Sequence, residues 1–384
     1  MGHRADESFF REKKPWSERK DEILRCYLPA YLPKIATQRA PILIVDAFAG
    51  PGGFDDGKPG SPLIVCQCVQ EALSHKLSVP VSVLFIEKIR VLFDRLQTVI
   101  QDYAFAKAVH GEFGDFVQAI EKQARDHSVF LYVDPFTVKG LDWEQLDSIL
   151  RHLEMSRVSI ELLLNFNARS FVRWALAAQK LSVPSPDPSI EDVDEIDAHM
   201  DTPPSIERLN AIVGGEWWQE ITRSSEDFPT KVQQVTKGLC RRLNARFRYV
   251  CCHDVKALPH HTVPKYYLVF GSRHPDALLL MNDQMVKSRD KLAELAKPNE
   301  DTLFEMRSEE LVPDTAKLSE IVTRHASETK RRYSVILDVI QEHFCQFSTP
   351  QIRKCIKQLL EEGKMKSETG KPRINDRVKI WTVK

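Results

Sequence analysis

The strongest constraint on this chain is a sharp turn that follows its first strand-like run. Ile42 to Val45 are four β-favouring apolar residues, Asp46 closes them, and a Gly/Pro-rich segment follows before a helix begins near Ser61-Pro62. A chain that leaves a strand this way must reverse direction while bringing bare backbone close to whatever occupies the crevice. Gly50, Gly52 and Gly53 are expected to supply the dihedral freedom and the room. The first N–H groups of the next helix point into the same crevice. Asp46, at the strand end, is placed to accept a hydrogen bond from an amino group bound there. A tight turn that needs glycine only for packing is the alternative.

The rhythm continues downstream. Val81 to Ile86 reads as a second buried strand ending at Glu87, Ala104 to His110 as a third, Val129 to Val133 as a fourth ending at Asp134-Pro135, and Val158 to Asn165 as a fifth. Helical patterns lie between them at Pro62 to Leu73, Ile89 to Ile100, Phe113 to Arg125 and Trp143 to Leu153, and another precedes them at Ser17 to Leu32. Strands alternating with helices predict an α/β fold with a parallel, doubly wound sheet. Ser182 to Pro204, with five prolines and many acids, breaks the rhythm as a loop or insertion, and Ile206 to Arg246 is helical in pieces. Phe247 to Cys252 and Tyr266 to Gly271 resemble an antiparallel strand pair, with a helix through Leu278 to Lys291.

Pro298 to Ser327 is polar and charged and reads as a linker. The end of the chain changes character. Ser334 to Phe344 is predicted as a helix, and Thr349 as the N-cap of a second helix with Pro350 at its first position. That helix covers Gln351 to Glu362 and ends at Gly363. Met365-Lys366 and Val378 to Val383 then form a hairpin with a basic tip, the pattern of a winged helix-turn-helix. The expected domains are therefore 1–297, with a helical insertion at about 182–245, a linker at 298–330, and 331–384.

A length of 384 residues favours two domains. No run approaches the roughly 20 apolar residues of a membrane span, so no membrane association is expected. The charged N-terminus lacks a secretory h-region, which predicts a cytoplasmic protein. Its eight cysteines form no CxxC pair and read as reduced thiols. Cys251-Cys252-His253 with His260-His261 suggests zinc, but adjacent cysteines point to opposite faces of a strand, and no metal is expected. Charge balances overall at 54 basic and 54 acidic residues. From Arg331 onward, however, twelve Lys/Arg stand against six Asp/Glu, which points to a polyanionic partner for the tail.

Several acids follow strands where a ligand would lie. Glu87 is placed to chelate the ribose hydroxyls of an adenosine. Glu112 is placed to accept from an adenine amino group, with Asp115 as a rival for that role and helix capping as an alternative for both. Asp134-Pro135-Phe136 forms a corner where methylation of an exocyclic amine has its two needs. The Asp134 carboxylate or Pro135 carbonyl would accept from the nitrogen, and Phe136 would stack a flat base. A strand-ending Asp-Pro turn is the simpler alternative. Asn165 and Asn167 end the fifth strand at the same edge, as pocket-lining residues or helix caps.

The stretches KDEILRCYL, VDAFAGPGGFDDGKPGSPLI, LFIEK, YVDPFTVKGL, LLNFNARSF and KYYLVFGSRHP together resemble the bacterial three-Cys-motif partner family over most of Ser17 to Leu295. The glycine loop and GSPLI are also similar to the large-subunit ribosomal RNA adenine-N6 methyltransferases. The resemblance implies a Rossmann-like class I methyltransferase sheet binding S-adenosyl-L-methionine through Lys20, Asp46, Phe48, Gly50, Gly52, Gly53, Glu87 and Glu112. It implies Lys20 on the methionine carboxylate and a catalytic corner at Asp134, Pro135 and Phe136. That corner lacks the second proline of the DPPY pattern. The resemblance further implies a three-Cys-motif, radical-SAM-like partner protein.

Two functions follow as expectations. One is a nucleic-acid methyltransferase whose tail docks on DNA or RNA phosphates through Arg353, Lys354 and Lys357 on the recognition helix and Lys371, Arg373 and Arg377 on the wing. The other is a non-catalytic S-adenosylmethionine- or nucleotide-binding module that serves a partner enzyme or a phage-defence system.

Overall fold

The computed structural model describes residues 9–154, 158–184, 203–256, 263–295 and 314–383, and by contacts the chain divides into Met1–His274 and Pro275–Lys384. In the first unit the strands are β1 (Ile42–Asp46), β2 (Val81–Glu87), β3 (Ala106–His110), β4 (Ser128–Val133), β5 (Ile160–Phe166), β6 (Tyr249–Val255) and β7 (Tyr266–Ser272). They form one seven-stranded sheet in the order β3-β2-β1-β4-β5-β7-β6. The first five are parallel, and β7 runs antiparallel between β5 and β6. This is a Rossmann-like α/β sheet with a terminal antiparallel pair.

Burial accounts for the apolar runs of the strands. β1, β4, β5 and β7 are buried along their whole length, as expected where helices cover both faces. β3 is the edge strand; its residues are partly exposed, and it starts two residues later than the apolar pattern suggests. On one face lies α1 (Pro15–Ala36), whose Tyr27 ring packs 5.5 Å from Phe130 of β4. The Tyr27 hydroxyl donates to Glu161 of β5, a buried carboxyl.

The helices between strands are α2 (Ser61–Ser74), α3 (Arg90–Ile100), α4 (Val117–Ala124), α5 (Trp143–Glu154) and α6 (Ala168–Ala178). The expected helix from Phe113 divides, because Phe113–Phe116 forms a tighter 3₁₀ turn before α4. After α6 come α7 (Ile206–Val213), α8 (Trp218–Arg223) and α9 (Phe228–Leu243), the helical pieces anticipated there. Trp218 of α8 meets Phe171 of α6 edge-on at 5.6 Å, and both are fully buried. Most of the proline-rich stretch 182–204 lies outside the described residues.

In the second unit, α10 (Pro275–Leu295) precedes α11 (Thr315–His325), β8 (Lys330–Arg331), α12 (Arg332–Glu342), α13 (Thr349–Glu361), β9 (Met365–Ser367) and β10 (Lys379–Thr382). The small sheet is antiparallel in the order β8-β10-β9. Three sequence expectations need correction here. The helix read as the end of the first domain packs in this unit: Asn282 of α10 accepts from Cys345 N and donates to Phe347 O, both at 2.9 Å. The stretch read as linker contains α11, capped by Asp314 and holding Leu318, Ile321 and Val322 in the core. Its polar majority hid an i, i+3, i+4 apolar stripe; residues 298–313 lie outside the described residues. The N-cap of α13 is Ser348, in a reciprocal box with Gln351, and Thr349 is the first helical residue.

The buried Glu161 makes stability depend on pH. Burial pushes its carboxyl from an ordinary 4.5 up to about 7, so the folded chain holds that proton more tightly than the unfolded one. The contribution is complete below pH 4.5 and is lost as pH rises toward 7, with a slope of at most about 1.4 kcal/mol per pH unit. Glu161→Gln keeps an acceptor for Tyr27 and removes the proton. Urea midpoints at pH 5 and pH 7.5 are expected to fall with rising pH in the parent and to fall less in the variant, where the raised carboxyls of Asp46 and Asp21 remain.

Candidate functional site

In a doubly wound sheet a ligand crevice opens beyond the carboxyl ends of the strands where the strand order reverses. Here the reversal falls at β1, which lies between β2 and β4. A cleft of about 880 Å³ opens at that place, walled by the glycine loop, the end of β2, the Asp134–Phe136 corner, the face of α1 carrying Ser17, Lys20 and Asp21, and Tyr266 of β7.

The glycine loop is shaped by acids beneath it. Glu87 is buried, and its two carboxylate oxygens accept from Gly50 N at 2.8 Å and Ile89 N at 2.6 Å. Asp46 is wholly buried and does not form part of the cleft wall. Its oxygens accept from Phe48 N at 3.2 Å and Ser61 Oγ at 2.7 Å, tying the strand end to the start of α2. Burial pushes its carboxyl up to about 7 despite those donors. The expected contact between Asp46 and a bound amino group is therefore corrected: the acid is a brace behind the loop.

The glycines divide in the same way. Gly50 and Gly52 have φ of +65° and +84°, which favour a residue without Cβ. Gly53 does not, and a Cβ there would sit 3.7 Å from Lys58 O, in ordinary contact. The close approach is at Gly60, which sequence reading passed over: a Cβ on it would lie 3.1 Å from Gly52 O, the atom that accepts from Gly60 N at 2.9 Å. Among the described residues no side chain caps α2 at this end.

At the opposite wall, Asp134 is held by three donors. Lys20 Nζ (2.6 Å) and Tyr132 OH (3.0 Å) meet Oδ2, and Asn165 Nδ2 (2.6 Å) meets Oδ1. The Oδ1 atom of Asn165 is buried and has no partner among the described residues. Phe136 meets Phe9 at 5.0 Å and 84°. Phe48 also lines the cleft, 6.2 Å from Phe113. Glu112 is in the wall, but it forms a capping box with Asp115 and pairs with Lys88 at 2.6 Å. Both acids thus take the capping alternative. Asn167 caps α6 by accepting from Ser170 N at 3.0 Å.

In the second unit, Arg353, Lys354 and Lys357 of α13 and Arg373 of the β9–β10 loop line a groove of about 530 Å³ together with Arg332. Asp376 draws Arg353 (2.6 Å) and Arg332 (2.7 Å) onto itself, so Arg353 is partly neutralised. Lys371 and Arg377 are exposed but do not line the groove. Cys251, Cys252 and His253 lie on β6, and the free thiols of Cys252 and Cys240 share a hydrogen bond; His260 and His261 fall outside the described residues. Among the described residues no helix is long and apolar enough to cross a membrane.

No family model and no curated protein matches the chain. Among solved structures it is similar to an O-methyltransferase from Bacillus cereus in complex with SAH (14% identity, 68% of this chain and 81% of that chain, TM-score 0.31). It is also similar to PKMT2 from Rickettsia typhi in complex with AdoHcy (10% identity, 88% and 73%, TM-score 0.28). A putative Zn-dependent alcohol dehydrogenase from Rhodobacter sphaeroides scores alongside them (12% identity, 61% and 84%, TM-score 0.26). Scores this low bear on neither the reaction nor the ligand.

The loop geometry separates the glycines by experiment. Gly52→Ala forces a side chain into a left-handed φ and against Val99, and is expected to cost at least roughly 1–2 kcal/mol. Gly53→Ala is expected to stay within about 0.5 kcal/mol of the parent. Chemical denaturation of the two variants checks the contrast.

Proposed function

We propose that the first unit is a class I S-adenosylmethionine-dependent methyltransferase acting on an exocyclic base amine of a nucleic acid. The observation that carries this reading is a single cleft joining the glycine loop and Glu87 to the Asp134–Phe136 corner. The terminal antiparallel pair β7–β6 supports it against an NAD-dependent enzyme, whose simpler dinucleotide-binding sheet lacks that pair.

The residues fit the cofactor. Glu87 accepts from Gly50 N and Ile89 N and stands in the cleft wall at the end of β2, a position suited to a ribose diol. Lys20 and the uncapped start of α2 suit a carboxylate. When bound, S-adenosylmethionine supplies an electrophilic methyl group on a sulfonium. Asp134 then orients the amine: Lys20, Tyr132 and Asn165 fix its carboxylate, and Oδ1, with one donor, has room for a substrate N–H. Phe136, with Phe9 against it, offers the aromatic surface for a base.

The second unit is read as a winged helix that docks on phosphates, with Lys354, Lys357 and Arg373 as the working contacts. Arg353 serves to hold Asp376. The notable departure from the amine-methylating pattern, DPF for DPPY, and the three donors on Asp134 also favour a second reading. In it the protein binds the cofactor without transferring methyl and serves a three-Cys-motif partner enzyme.

Calorimetric titration of the full chain with S-adenosylmethionine is expected to show binding, weakened at least about tenfold in Glu87→Ala. Incubation with methyl-labelled cofactor and mixed DNA and RNA decides between the readings. Label on nucleic acid that disappears in Asp134→Ala supports transfer, whereas binding without label supports the partner role. For the second unit, Lys354→Ala and Arg373→Ala are each expected to lower nucleic-acid affinity and to reduce the salt dependence by about one released counterion. Fluorescence anisotropy across a salt series measures this.

A further inference from the structure

A cofactor with an amino-acid end brings an ammonium group into the cleft, and the acid foreseen for it, Asp46, is walled off behind the loop. Among the described residues five acids do line the cleft: Asp21, Glu87, Glu112, Asp134 and Asp142. Four have donors spread over their carboxylates or strong partners of their own. Glu87 takes two backbone N–H groups, Asp134 takes Lys20, Tyr132 and Asn165, and Glu112 caps a turn and pairs with Lys88. Asp142 takes Arg208 on Oδ2 and the N–H groups of Glu144 and Gln145 on Oδ1.

Asp21 differs. Its Oδ2 pairs with the buried ammonium of Lys13, which is also fixed by donation to Pro59 O at 2.7 Å. Its Oδ1 receives no donor among the described residues. Asp21 is 7% exposed, yet it belongs to the cleft wall, next in sequence to Lys20 and one helical turn from Ser17. Burial outweighs Lys13 and Lys20 and pushes its carboxyl up to about 6, a cost that a cation lodged at Oδ1 would offset. Lys20 is its neighbour in sequence, and Lys13 links it to Pro59, two residues before Ser61 at the start of α2, which lines the same cleft. An acid with an open oxygen next to a cation and a helix N-terminus is a receptor for an α-amino-acid zwitterion.

We propose that Asp21 is the carboxylate that receives the α-ammonium group of S-adenosylmethionine, with Lys20 and the start of α2 taking its carboxylate. This rests on the cofactor reading above and adds to it the acid that recognises the amino-acid end. Recognition is by charge and hydrogen bonding alone. No bond is made or broken at Asp21.

The test compares ligands that share the adenosine but differ at the amino-acid end, titrated into the full-length protein and its Asp21→Asn variant. S-adenosylmethionine and S-adenosylhomocysteine carry the ammonium; 5′-methylthioadenosine does not. Asp21→Asn is expected to weaken the first two by about tenfold or more and to leave methylthioadenosine within about twofold. Equal loss of all three overturns the proposal, because Asp21 then acts only on the fold, and no loss of any overturns it as well. If the parent protein binds none of them, the cofactor reading itself fails. Should the variant not fold, the parent alone decides: the deaminated analogue of S-adenosylhomocysteine is expected to bind about tenfold or more weakly than the amino form. Equal affinity for the two would refute the assignment.

Discussion

Asp46, Glu87 and Asp134 stand at or just past the ends of three neighbouring parallel strands, and a carboxylate taken out of water has to find donors in the protein. How these three are satisfied shapes the cleft. Glu87 draws Gly50 N and Ile89 N, which folds the glycine loop toward the end of β2. Asp46 draws Phe48 N and Ser61 Oγ, which fixes where the loop ends and α2 begins. Asp134 draws Lys20 from α1 and Asn165 from β5, closing the far wall from two sides. Each acid uses a donor from a different element, so removing one would loosen a specific joint. That is why acids occur where apolar residues would pack more cheaply.

The architecture was legible because each signal was local. Continuous apolar runs marked the buried strands, and a glycine segment after an acid marked the ligand turn. The roles of single residues were less legible, because they depend on what lies opposite. Nothing in the order of residues says that Gly60 faces Gly52 O, or that Gly53 faces only Lys58 O at 3.7 Å. Asp46 and Glu87 look alike as strand-ending acids, yet only Glu87 reaches the wall. Asp21 was hidden in an amphipathic helix, although Ser17, Lys20 and Asp21 recur at the i, i+3, i+4 spacing that puts them on one face. Two of those three polar residues, Ser17 and Asp21, are buried, which the sequence spacing alone does not reveal.

The second unit shows the same limit. Its helices and hairpin could be read from capping and periodicity, but α11 was concealed by polar composition. The basic count of the tail was correct, and the count alone overstated the free charge. Asp376 holds both Arg332 and Arg353, leaving Lys354, Lys357 and Arg373 as the cations of the groove without that tie. Two guanidiniums on one carboxylate are better understood as a strut between the hairpin loop and α12–α13 than as a ligand site. The loop between β9 and β10 is thereby held close to α13.

The Asp134 clamp also bears on the kind of chemistry the cleft can support. A general base that strips a proton before attack needs a carboxylate with freedom to change partners. Asp134 has little: Lys20 and Tyr132 occupy Oδ2, and Asn165 occupies one site on Oδ1. A neutral aromatic amine does not require prior deprotonation to be methylated. It requires its nitrogen lone pair to be turned out of conjugation and held toward the methyl group, and the proton leaves once the new C–N bond has formed. A carboxylate immobilised by three donors is suited to that holding role, since its position is set before the substrate arrives. On this reading Lys20 has two tasks at one ammonium group, bracing Asp134 and meeting the cofactor's carboxylate, which couples the seating of the cofactor to the geometry of the acceptor.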